Sequence, residues 1–127
     1  MLARILIADD NGEVRGMLKA FLEARKHEVH VADDGAQAFA IAEKVVPHLI
    51  IMDVVMPGVY GTTAAKKFQE YWRTAKIPII IMSGTVDQSV LESLPKGPQI
   101  RFLRKPVSLK VLDAAIREML PMGGYTP

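Results

Sequence analysis

Residues 47–53, PHLIIMD, decide the fold class. Four apolar residues in a row, Leu49 to Met52, stop at one carboxylate, Asp53. A run of that length without alternation suits a strand buried on both faces, the habit of parallel sheets covered by helices. Similar runs lie on either side, at residues 3–8, 28–32, 77–82 and 100–103. Between them, apolar residues recur at helical spacing. Val14, Met17, Leu18, Phe21 and Leu22 make one stripe, and Ala38, Ala42 and Val45 a small-residue stripe that stops before Pro47. Residues 61–72 make a third, with Ala64, Ala65, Phe68, Tyr71 and Trp72 as its apolar positions. Residues 86–94 form a short, weak candidate closed by Pro95. Leu109, Leu112, Ile116, Met119 and Leu120 mark the last helix, which Pro121 is expected to terminate. Five strands alternating with five helices imply an α/β fold, with a parallel sheet and helices on both faces.

Composition agrees with a single globular domain. The chain has 127 residues, 50% of them hydrophobic and 24% charged, with a net charge of +2. That charge is too small for a nucleic-acid signature. There are no cysteines, so disulfides and thiolate metal sites are excluded. The N-terminal apolar stretch is broken by Arg4 and ends at Asp9, and no run reaches the ~18 residues of a membrane span. A cytoplasmic location is the expectation. Residues 1–121 read as one domain and 122–127, MGGYTP, as a flexible tail or the start of a linker.

The polar residues fall where such a sheet binds ligands, beyond the carboxyl ends of its strands. The first strand ends in Asp9 and Asp10, the third in Asp53, the fourth in Ser83 and the fifth in Lys105. Three carboxylates facing one another need a cation. An all-oxygen set suits a hard divalent ion, Mg²⁺ above all where phosphate is also bound. A lysine and a hydroxyl beside such an ion are equipped to hold a phosphoryl group, and a central carboxylate can attack one. Plainer explanations exist for parts of the set. The Asp9–Asp10 pair could be a solvated turn leading to a helix cap, and Lys105 could be only the salt-bridge partner of Asp53. Neither explains Ser83.

The segments ILIADDN (5–11), VADDGAQAF (31–39), PHLIIMDVVMPGVYG (47–61), IPIIIMSG (77–84) and FLRKP (102–106) together resemble the receiver domain of two-component response regulators. The resemblance covers about residues 3–120 and implies a (βα)5 doubly wound sheet in the flavodoxin-like order 2-1-3-4-5. It implies that Asp53 accepts the phosphoryl group. Asp10 and Asp53 would bind Mg²⁺ directly, Asp9 mainly through a metal-bound water, and Val55 through its backbone carbonyl. Ser83 and Lys105 would contact the phosphoryl group, Phe102 would be the aromatic switch position alongside Ser83, and the Lys105–Pro106 bond would be cis.

The implied donor is a histidine kinase or histidine phosphotransfer protein. No motif names an output partner, and none indicates direct binding to membrane or nucleic acid. The same residues fit a single-domain regulator, a receiver cut from a hybrid kinase or transcription regulator, or a phosphate-independent docking domain. A small Mg²⁺-dependent phosphatase would need a D-x-D pattern, but Val54 and Val55 follow Asp53. A flavin-nucleotide binder would need a phosphate-cradling loop where ADDNGE stands. Tyr60 and the LPKGPQI segment depart from the family pattern. Val55 and Thr85, which would flank the path of a hydrolytic water, suggest a long-lived acyl phosphate.

Overall fold

A computed structural model of the chain describes residues 3–53, 61–84, 92 and 96–125. The strands are β1 (Arg4–Ala8), β2 (Glu28–Ala32), β3 (Leu49–Asp53), β4 (Ile79–Ser83) and β5 (Ile100–Arg104). All pair in parallel, in the order β2-β1-β3-β4-β5. The helices among the described residues are α1 (Gly12–Ala24), α2 (Gly35–Val45), α3 (Gly61–Glu70) and α4 (Leu109–Met119), followed by a 3-10 turn, Leu120–Gly123. The helix expected over 86–94 falls almost wholly outside the described residues, as do Val55, Tyr60 and Thr85.

Successive strand residues point to opposite faces, and the core divides accordingly. Leu6, Ile50, Met52 and Ile81 pack with Ala38 and Ala42 of α2 and Phe68 of α3. Ile5, Ile51, Ile80 and Met82 pack on the other face with Leu18 of α1 and Ile116 of α4. The unbroken run in β3 therefore feeds both layers, with Leu49 to Met52 each fully buried. The edge strand β2 is less covered: Val29 packs against the α1/α4 layer while Val31 is exposed.

Helix starts follow from short polar side chains, each giving an acceptor to backbone N–H groups that would otherwise lack one. Asn11 Oδ1 accepts from Glu13 and Val14 N–H. Asp34 Oδ1 accepts from Gln37 N–H, while Gln37 Oε1 accepts from Asp33 N–H. Ser108 Oγ accepts from Val111 N–H. At the end of α1, Lys26 N–H donates to Glu23 O at 2.9 Å and His27 N–H to Leu22 O at 3.2 Å. This Schellman closure puts exposed Lys26 at φ 70°, a conformation that suits glycine better than lysine. Lys26→Gly is expected to stabilise the fold by about 1 kcal/mol. A lower midpoint in urea for the variant would sink that expectation.

Two elements differ from the sequence expectation. Helix α3 stops at Glu70, short of Trp72, because the buried Thr74 hydroxyl donates to Phe68 O at 2.6 Å and closes the chain into turns. Trp72 is then 79% exposed and takes no place in the apolar stripe. At the other end, Pro121 does not end the ordered chain. It sits at the start of the 3-10 turn, where a missing N–H costs little. Residues 122–125, expected as a flexible tail, instead continue that turn and dock under the sheet. A Cβ at Gly123 would overlap the His48 carbonyl oxygen, so the backbones approach as only glycine permits. The Tyr125 ring lies 5.6 Å from that of His48 and 6.2 Å from that of His27.

Candidate functional site

The carboxyl ends of β1, β3, β4 and β5 meet at one pole of the sheet. Asp9 follows β1 directly and is fully buried. Its position is fixed by short local bonds: its own N–H donates to Ala32 O at 3.1 Å, and Asn11 N–H donates to its Oδ1 at 2.9 Å. Arg15, one turn into α1, donates from Nη1 to the Asp9 carbonyl at 2.6 Å. Asn11, capping α1, thus ties the acidic turn to the helix that follows it. Arg15 did not stand out in the sequence. The signal available was a capping residue immediately after two aspartates, with an arginine four positions on.

Asp53 is the last residue of β3 and Ser83 the last of β4. The Ser83 side chain is buried, and its carbonyl accepts from Lys105 N–H at 2.8 Å. That bond extends the β4–β5 pairing by one residue and carries Lys105 over the strand ends. The Lys105 Nζ then donates to Asp9 Oδ2 at 3.0 Å and to Asp53 Oδ2 at 3.1 Å. One ammonium therefore joins the ends of three strands. The Lys105–Pro106 peptide bond is cis.

Asp10 is exposed, yet one oxygen from each of Asp9, Asp10 and Asp53 falls within 4.8 Å of the others. Of the residues anticipated for this site, Asp9, Asp10, Asp53 and Lys105 converge, and Ser83 borders them through its carbonyl. Phe102 is partly buried and packs against the α2/α3 layer. Val55 lies outside the described residues.

Burial alone would lower the Lys105 pKa, but its hydrogen bonds to Asp9 and then Asp53 outweigh that and hold it above the ordinary value. The pole is thus a small set of fixed charges with the cation locked between two of the three carboxylates. The donor set fits a magnesium ion: three carboxylates, only oxygen, with one of them open to water. Beside this pole, Val14, Met17, Leu18, Lys105, Pro106 and Leu109 help line an apolar groove of about 380 Å³ between α1 and α4.

Comparison with known proteins gives a consistent answer. The family model described as the response regulator receiver domain matches residues 5–117. Protein PilH of Pseudomonas aeruginosa is 36% identical over 120 residues, covering 94% of this chain and 98% of that protein. Response regulator PleD of Caulobacter vibrioides is 35% identical over 122 residues, and there this chain spans only 26% of the longer protein. The chemotaxis protein CheY4 of Vibrio cholerae superposes with a TM-score of 0.84 at 25% identity, over 94% of this chain and 99% of that one.

Proposed function

The chain belongs to the response regulator receiver domain family, and on that premise we propose that it is a cytoplasmic phosphoacceptor switch in which Asp53 takes a phosphoryl group from phosphohistidine. The observation that carries this is the junction of Asp9, Asp10, Asp53 and Lys105 at a single strand pole. A purely structural Asp53–Lys105 pair would not require two further carboxylates within 4.8 Å.

The donor is a histidine kinase or a histidine phosphotransfer protein. An Asp53 carboxylate oxygen forms a bond to phosphorus as the donor P–N bond breaks, and the imidazole nitrogen leaves with the electron pair. Lys105, already hydrogen-bonded to Asp53, turns its ammonium to the equatorial oxygens of the transferring group. Ser83 follows Asp53 around the pole on the adjacent strand, and its hydroxyl takes another of those oxygens. Asp10 and Asp53 would hold Mg²⁺ through carboxylate oxygens, with Asp9 acting through water and the Val55 backbone carbonyl as a further ligand. The ion supplies neutralisation of the charge that spreads over the phosphoryl oxygens. Phosphorylation draws Ser83 inward and Phe102 follows, shifting a pre-existing two-state equilibrium.

The apolar groove between α1 and α4 is where the donor docks. It borders Lys105, and Met17 and Leu109 leave 49% and 41% of their surface exposed there. A helical donor seated in it would bring its phosphohistidine to the pole from the side on which Lys105 lies.

Incubation with acetyl phosphate, followed by intact-mass measurement, tests the proposal. One phosphate-sized adduct is expected in Mg²⁺ and none in EDTA. Labelling that ignores EDTA would overturn it. No helix among the described residues is long and apolar enough to cross a membrane.

A further inference from the structure

The pole opposite the carboxylates carries a second concavity that phosphoryl transfer does not use. It lies where the start of β1, the entry to β3, the turns after α3 and the 3-10 turn meet, and it encloses about 460 Å³. Its lining includes Arg4, His48, Trp72, Arg73, Lys76 and Met122 and, among the described residues, no carboxylate. Small-molecule sites span roughly 300–1,000 Å³, so the size is suitable.

Two features point to the ligand. The first is an excess of positive charge. Among the described residues, none of Arg4, Arg73 and Lys76 makes a salt bridge, although seven such pairs form elsewhere. Arg4 Nη2 donates to Val46 O at 3.1 Å, which fixes the guanidinium at the wall without neutralising it. Three cations around one concavity focus a positive potential into it. The second feature is the indole of Trp72, 79% exposed at the rim, with the Arg73 guanidinium 5.8 Å from its ring centroid. An exposed flat ring beside cations is a stacking platform for an aromatic anion.

His48 adds a directional donor. Its Nδ1 accepts from the Arg4 backbone N–H at 2.9 Å, so the neutral ring carries its proton on Nε2. Burial, then the Arg4 charge, hold its pKa below 6.5 against the opposing pull of Glu28, and the ring is neutral at pH 7.

We propose that this pocket is a second binding site, for a mononucleotide-sized anion whose aromatic ring stacks on Trp72 and whose phosphate is held by Arg4, Arg73 and Lys76. It lies beyond the receiver chemistry, on different residues at the other end of the strands.

Trp72 is the only tryptophan in the 127 residues, so its emission reports on this pocket alone. The full chain in EDTA is titrated with AMP, with adenosine and inorganic phosphate as separate arms. AMP should quench Trp72 saturably, and each half-molecule should bind about tenfold more weakly or worse. Arg73 and Lys76 are exposed, so charge reversal there leaves the fold intact. Arg73→Glu and Lys76→Glu should each weaken AMP about tenfold, Lys76→Arg should not, and Mg²⁺-dependent phosphorylation of all three should match the parent. Adenosine as effective as AMP, undiminished affinity in Lys76→Glu, or no saturable quenching would each overturn the assignment. So would saturable binding of an oligoglutamate peptide in place of AMP, which would make the surface a protein-docking site.

Discussion

Asp53→Asn is expected to cut phosphorylation by acetyl phosphate ~1,000-fold or more, to background in an intact-mass measurement, because an amide oxygen is no substitute for an attacking carboxylate. The variant tests chemistry apart from folding. Asparagine has the shape of aspartate, and Lys105 keeps its shorter bond, 3.0 Å to Asp9. Asp10 is the control built into the site. It is an exposed carboxylate whose oxygen lies within 4.8 Å of one on Asp53. If the phosphate adduct persists in Asp53→Asn, Asp10 becomes the first candidate, and the assignment of Asp53 is lost. Failure here leaves the AMP experiment untouched, since that is read from Trp72 in EDTA.

Lys105→Met should lower the stability of the metal-free protein by about 3 kcal/mol, near the low end for removing one partner of a buried ion pair. For a domain of this size that amounts to roughly 10 °C in melting temperature. The cost arises mainly at Asp9, whose side chain is 0% exposed and whose carboxylate then keeps, among the described residues, the Asn11 N–H as its donor. Asp53, at 13% exposure, also loses a partner, whereas Asp10 faces water and its repulsion is screened. Mg²⁺ should return much of the loss, because it binds only the native cluster and contributes ~2.7 kcal/mol at a hundredfold excess over its dissociation constant. The double variant Asp9→Asn/Lys105→Met should cost less than Lys105→Met alone. The effect also has a pH signature. The folded-state pKa of Lys105 is raised above 10.5, so its contribution is complete below that value and disappears as pH rises through the folded pKa. The gap between parent and variant should therefore be constant at neutral pH and close in alkali. A variant that melts as high as its parent in EDTA at pH 7 would show that Lys105 does not hold the cluster.

The strands and the acidic pole were legible because each rests on a strong local signal. Leu49 to Met52 could be buried on two faces only in a covered parallel sheet, and charged residues at the ends of such runs converge by topology alone. Trp72 was misplaced because spacing records which residues are apolar and not where a helix stops. The stop came from Thr74, whose hydroxyl bonds backwards to Phe68 O. The docked residues 122–125 were missed for a related reason. Two glycines and a proline read as a loosening chain, while the gain from seating Gly123 against His48 depends on a contact across 75 positions that no pattern along the chain contains. Asn11 and Arg15 support Asp9 through its carboxylate and its carbonyl, and bonds that end on the main chain leave little trace in side-chain type.

The lysine that braces the three strand ends also has a reactivity of its own. Only a deprotonated amine attacks an acyl donor, and Lys105 is held as an ammonium between Asp9 and Asp53 with its pKa raised. Acetyl phosphate offers an electrophile at each end, phosphorus and carbonyl carbon. At the pole its acetyl end meets an amine whose raised pKa makes it slower to release a proton. Acetylation will therefore fall first on exposed lysines such as Lys66, Lys67 and Lys76. The pairing that positions the cation also shields it from acylation by the reagent used to phosphorylate the protein.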